Sequence, residues 1–182
     1  QEKYPDAEIC VFDSICASGG HGLLIYHAIE NKKKGMSVTE NMQALEELKH
    51  RIVHKFTVDD LTYLQRGGRI SKTAAVIGGM IQLKPVLHVD TEGRLAAESK
   101  VRGRKKALNQ LLAEMDICTG SYADKQDVVL ICHADCPEDA EYVRAKVEEK
   151  YHPNKIIMSE VGPIVGAHVG PGTMVLIFEG DK

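Results

Sequence analysis

Short apolar runs of strand length alternate along this chain with stretches whose apolar residues recur every three or four positions. That alternation restricts the fold to the α/β class. Asp127–His133 reads as a buried strand. Pro137, followed by Glu138 and Asp139, opens a helix whose inward stripe is Ala140, Val143 and Val147. Lys155–Glu160 and Thr173–Glu179 are two further strands. Before them, Leu108, Leu111, Leu112 and Met115 at i, i+3, i+4 and i+7 predict an amphipathic helix over Arg104–Met115.

The first half follows the same rules. Glu8–Asp13 predicts a buried strand, and the Ser- and Gly-rich Ser14–Gly22 an irregular loop. Leu23–Lys33 predicts a helix closing on Lys32-Lys33-Lys34-Gly35, where basic residues suit the last turn. Ser37-Val38-Thr39-Glu40 is a capping box, opening a helix with Met42, Leu45, Leu48 and Ile52 on one side. Thr57-Val58-Asp59-Asp60 repeats that logic before a helix over Leu61–Gln65, which stops at Gly67-Gly68. Ser71 caps an Ala-rich helical segment through Val76 and Ile77. Pro85–Asp90 and Leu95–Ser99 form a hairpin across Thr91-Glu92-Gly93.

Composition excludes several classes of function. The formal net charge is -3, there is no Trp, and aromatic residues make up 5% of the chain. Neither a polyanion footprint nor a stacking platform for bases is present, so no nucleic-acid partner is expected. The longest apolar runs, Val128–Cys132 and Met174–Phe178, fall far short of the roughly 20 residues that cross a bilayer, so no stable membrane insertion is expected. Five Cys without a paired framework point to a reducing cytoplasm. The opening Gln1-Glu2-Lys3-Tyr4-Pro5, without Met, leads us to expect residues removed upstream.

Four features carry possible chemistry. Gly162–Gly172 holds four Gly and two Pro in eleven residues, with His168 as its one ionisable side chain. Such a backbone either offers its amides to an anion or simply turns between two strands. It lacks the Lys-Ser or Lys-Thr of a phosphate-binding P-loop. Lys100-Val101-Arg102-Gly103-Arg104-Lys105-Lys106 concentrates cations at the start of a helix, where each opposes the helix dipole by roughly 0.3–1 kcal/mol. It reads either as a solvated basic face or as the seat of an anion or acidic partner. Arg66-Gly67-Gly68-Arg69 reads first as a helix C-cap with two surface Arg, although guanidinium pairs also grip carboxylates. Cys132-His133 with Cys136 lacks the four paired ligands of a zinc site, so no metal is expected and Cys132 reads as core. Asp59-Asp60 reads as helix capping, and no Ser or Cys nucleophile has a recognisable base.

In order, Phe12-Asp13-Ser14 with Gly20–Leu24, the run Phe56–Ser71, Leu83-Lys84-Pro85-Val86-Leu87 with Gly93, Lys100-Val101-Arg102 with Lys105-Lys106-Ala107, and Gly162–Gly172 resemble the motifs of the DegV family. The resemblance spans nearly the whole chain. It implies a bacterial two-domain α/β protein, with residues 1–52 ending an N-terminal domain and 53–182 forming the C-terminal one. It implies a non-enzymatic carrier that holds one long-chain fatty acid as its only bound group, without a cofactor. A separate fatty acid kinase subunit then converts the carboxylate to an acyl phosphate. By matched position, His168, Arg69, Arg102, Gly166 and Gly170 would bind the ligand's anionic end, and Arg102, Arg104 and Lys105 would dock the kinase. Ala74–Ile81 would border the acyl chain. Two departures stand out: the Thr-Asp-Ser opening and the Ser- and Thr-rich loops of the family's N-terminal part are absent, and Val169 stands where many relatives carry Thr. The competing readings are a small-molecule hydrolase or phosphotransferase using His168 as base, and a protein-interaction domain built on the basic run.

Overall fold

The computed structural model describes residues 2–71 and 83–181. The element order is α1 (Gly19–Lys33), α2 (Val38–Leu48), β1 (Ile52–Thr57), α3 (Leu61–Arg66), β2 (Leu83–Val89), β3 (Leu95–Arg102), α4 (Arg104–Thr119), a 3-10 turn (Gly120–Lys125), β4 (Val128–Ala134), α5 (Pro137–Tyr151), β5 (Lys155–Glu160), α6 (Pro163–Val169) and β6 (Thr173–Glu179). The strands form one six-stranded sheet in the order β3-β2-β1-β6-β4-β5. Among the described strands only β4 and β5 pair in parallel, and α5 is the crossover that such a pair requires.

Helices cover both faces. Leu23 and Leu24 of α1, Leu45 and Leu48 of α2, and Leu61 and Leu64 of α3 pack with Phe56, Leu130 and Ile177 on one side. Leu108, Leu111 and Met115 of α4 and Val143 and Val147 of α5 pack with Val53, Ile131, Leu176 and Phe178 on the other. Central β6 is buried on both faces, with Met174, Leu176 and Phe178 alternating with Val175 and Ile177. Each such side chain contributes about 1.5–3 kcal/mol by leaving water.

Several expectations hold. The capping box at Ser37 and Glu40 forms, with both reciprocal bonds made. The hairpin turns at Asp90, whose carboxylate accepts the Glu92 and Arg94 amides at 2.9 Å each. Others are corrected. Glu8–Asp13 is not a strand; Val11 is 94% exposed, because no described strand offers its backbone a ladder. Ile52 opens β1 instead of continuing α2, and β1 itself was not foreseen. The loop read over Ser14–Gly22 ends early, since α1 starts at Gly19. α4 runs four residues past Met115 to Thr119. Asp60 alone caps α3, through the Thr62 amide, while Asp59 is held in ion pairs with Lys84 and Arg104. Gly162–Gly172 is no amide-baring loop, because Pro163–Val169 is helical. The segments expected after Ser71 and over Ala74–Ile81 lie outside the described residues, save Ser71 itself.

Candidate ligand cavity

The site begins with two short helices that pack on one another. α6 has Pro163 at its start, where the missing N–H costs nothing, and ends at Gly170. Val165, His168 and Val169 stand at i, i+3 and i+4, so they share the helix face turned to the core. Val169 is 7% exposed and Val165 packs on the same apolar cluster. Ile164, off that stripe, is exposed. α3 ends in a turn through Gly68 at φ +71°, where a side chain would be strained. The Arg69 amide donates back to the Leu64 carbonyl at 2.8 Å. Arg69 Nη1 donates to the Gly67 carbonyl at 2.6 Å.

Gly67 lies between the Arg69 guanidinium and the His168 ring. A Cβ added to it would overlap Nδ1 of His168. This close approach brings Arg69 and His168 to one cavity of about 270 Å³. Its walls are apolar, with Phe56, Leu64, Val89, Leu95, Val165, Val169 and Val175, and its polar members are Ser18, His54, Arg69 and His168. Through Arg69, Gly93 and Leu95 it adjoins a larger groove of about 580 Å³. That groove is floored by Leu61, Ile70, Pro85, Leu87 and Ala97 and rimmed by Arg94 and Lys100. An apolar cavity with two imidazoles and a guanidinium among its walls can take up an apolar group together with an anionic one.

The remaining expected site residues lie elsewhere. Arg102 is exposed at the end of β3, across from Leu83, and does not line the cavity. Arg104 is engaged: Nε meets Asp139 at 2.7 Å, Nη1 meets Asp59 at 3.3 Å and Nη2 meets Cys136 Sγ at 3.4 Å. Lys105 is exposed, with its ammonium 5.7 Å from the Tyr142 ring centroid. The amides of Gly166 and Gly170 donate within α6, to Gly162 and Gly166 carbonyls at 2.8 Å each. Burial pushes the Cys132 thiol up to about 11, in keeping with core.

Two polar lining residues, His54 and Ser18, are not evident from the sequence. His54 lies on the unforeseen β1, and the signal for it was the period-2 run Ile52, His54, Phe56, Val58. Ser18, at φ +48°, was passed over within the supposed loop.

The fold is thus an α/β layered domain with a mostly apolar cavity that His54, Arg69 and His168 help to line, a concave space of the kind that small molecules occupy. The chain belongs to the DegV family: the family model described as "Uncharacterised protein, DegV family" matches residues 1–181. A DegV domain-containing protein of Clostridium perfringens is 42% identical over 180 residues, covering 99% of this chain and 61% of that protein. The solved structure of DegV, a fatty acid binding protein from Bacillus subtilis, is 31% identical with a TM-score of 0.79, over 96% of this chain and 61% of that one. The Streptococcus pneumoniae Fatty Acid Kinase (Fak) B3 protein, solved loaded with linoleic acid, has a TM-score of 0.89 at 21% identity, over 99% of this chain and 63% of that one. The likeness to the last is one of fold. The chain thus spans less than two thirds of the length of the relatives it matches.

Proposed function

We propose that this chain is the part of a fatty-acid carrier that holds the carboxylate end of its ligand. His168 and Arg69 bind the carboxylate, and the acyl chain follows the apolar walls toward the groove beside Gly93 and Leu95. The observation that carries this reading is the shared cavity of Arg69 and His168, built by the close approach of α3 and α6 at Gly67. The chain's likeness to DegV of Bacillus subtilis, a fatty acid binding protein, supports it. The carrier turns nothing over itself. A separate kinase phosphorylates the presented carboxylate, docking on Arg102 and Lys105, which are exposed, whereas Arg104 is already paired.

Lipid extraction and mass spectrometry of the purified protein test the reading. Co-purified long-chain fatty acid, or stoichiometric uptake of added oleate, is expected. No uptake, together with turnover of phosphoesters or acyl esters, sinks it. For the docking step, Arg102→Ala is expected to slow kinase-dependent acyl phosphate formation while leaving lipid uptake intact. Equal loss of both contradicts a docking role.

A further inference from the structure

Two rings and two glycines interlock where α3 meets α6. Tyr63 and Gly67 stand at i and i+4 along α3 and its end, so they share one face. Opposite them, His168 stands in the last turn of α6 and Gly170 at its end. The His168 ring sits on the Gly67 backbone, and the Tyr63 ring sits on that of Gly170. A Cβ added to Gly170 would lie 2.5 Å from Cδ2, 2.8 Å from Cε2 and 2.8 Å from Cγ of Tyr63. Three ring atoms this close mean that the body of the ring, not its hydroxyl tip, lies against the bare Cα. Each helix thus sends a ring into the space that the other's glycine leaves.

α6 depends on such contacts for its place. Seven residues are too few to hold a helix alone, and its start has no side-chain cap. Its last turn is pinned twice. From the sheet, the buried Thr173 hydroxyl donates between the Val169 and Gly170 carbonyls, at 3.0 and 2.9 Å. From α3, the Tyr63 ring bears on Gly170. Thr173 fixes the turn on the sheet, and Tyr63 fixes its distance from α3, the distance that seats His168 on Gly67. Tyr63 does not line the cavity of Arg69 and His168; it borders a separate polar pocket with Asp59, Lys84 and Arg104. Any effect of Tyr63 on a ligand in that cavity therefore passes through α6.

We infer that Tyr63 is a positioning residue of the cavity: its ring, seated on Gly170, holds the last turn of α6 where the His168 imidazole meets the ligand's carboxylate. The ligand rests on the fatty-acid reading above, and the placement of His168 rests on packing alone. The hydroxyl of Tyr63 has no part in it.

The test measures oleate affinity by native mass spectrometry for the wild type, Tyr63→Leu, Tyr63→Phe, His168→Gln and the double variant Tyr63→Leu/His168→Gln. NMR of the unliganded proteins reads the imidazole signals of His168. Tyr63→Leu is expected to weaken oleate binding about tenfold, the worth of one charge-assisted hydrogen bond, and to shift the His168 signals. Tyr63→Phe, which keeps the ring, is expected to match the wild type in both. With His168→Gln already present, Tyr63→Leu is expected to cost little more. Tyr63→Met serves if the Leu variant does not fold. An equal cost of Tyr63→Leu with and without His168 marks a merely structural role and overturns the inference. So does a Phe variant as weak as the Leu one, or His168 signals that Tyr63→Leu leaves unmoved. A His168→Gln variant that binds oleate like the wild type removes the route through His168 and overturns it too, while lipid uptake itself stands. A wild type that takes up no oleate sinks the lipid reading, and the His168 signals then decide the placement: shifted in Leu but not in Phe upholds it, and any other pattern overturns it.

Discussion

The imidazole of His168 rests on the backbone of Gly67, so closely that a Cβ on Gly67 would overlap Nδ1. Gly67 has φ -73° and ψ -4°, a conformation that alanine adopts freely. Gly67→Ala therefore tests the contact and not the backbone. We expect the ring to be displaced, oleate uptake to fall about tenfold or more, and stability to fall by about 1–3 kcal/mol, the usual cost of overpacking. Native mass spectrometry and urea denaturation read the two effects. Unchanged uptake would show that the ligand does not need His168 where it stands.

On the opposite face of the sheet, buried Lys55 places Nζ 2.7 and 2.6 Å from the two carboxylate oxygens of Glu98 and 3.5 Å from Glu114. Burial opposes the ammonium charge, but the bond to Glu98 and the nearby carboxylates outweigh it and hold Lys55 above its ordinary range. Lys55→Met leaves Glu114, at 10% side-chain exposure, without its cation. Loss of about 3 kcal/mol is expected, the lower end for a broken buried pair because Glu98 is partly hydrated. Adding Glu114→Gln should recover part of it. A double-mutant cycle by urea denaturation checks this, and strict additivity would show that the pair is not coupled.

His27 of α1 sits 3.5 Å from Glu179 at the end of β6. Burial lowers its pKa from the ordinary 6.5, and the Glu179 charge only partly opposes this. The unfolded chain therefore takes up a proton near pH 6.5 that the folded one resists. His27 thus contributes stability that is present above pH 6.5 and lost as pH falls below it. Urea midpoints of the wild type should decline from pH 7 to pH 5, and those of His27→Gln should decline less. Parallel curves would assign the acid sensitivity to other groups.

Legibility in the sequence followed periodicity. α4, α5 and the β2–β3 hairpin were readable because long apolar stripes and a turn residue marked them. β1 was not, since buried His54, Lys55 and Thr57 hide its alternation among polar residues. Glycine misled twice, in opposite ways to its usual meaning. Gly19 and Gly20 lie inside a helix because only a bare Cα clears Cys132 and His54, and Gly166 lies inside α6. Of the cavity's lining, His168 and Arg69 were singled out from motif order, and their meeting at one cavity required the packing of α3 on α6. His54 became visible only when β1 was placed beside α1.

The packing of Gly19 on β4 also fixes the reactivity of Cys132. A Cβ on Gly19 would lie 2.6 Å from its sulfur and 2.9 Å from Ile177 Cδ1. Burial raises the thiol to about 11, and a hydrogen bond from the Gly19 amide offsets that only in part. At pH 8 about one thiol in a thousand is ionised, and the thiolate is the species that reacts. Cys10, by contrast, is exposed. Iodoacetamide at pH 8 should therefore label Cys10 in minutes and leave Cys132 unmodified in the folded protein, with labelling appearing in urea. Gly19→Ala should speed Cys132 labelling by forcing α1 off the sheet, and peptide mass mapping reads both sites. Fast labelling of Cys132 in the wild type would mean that α1 opens readily from β4.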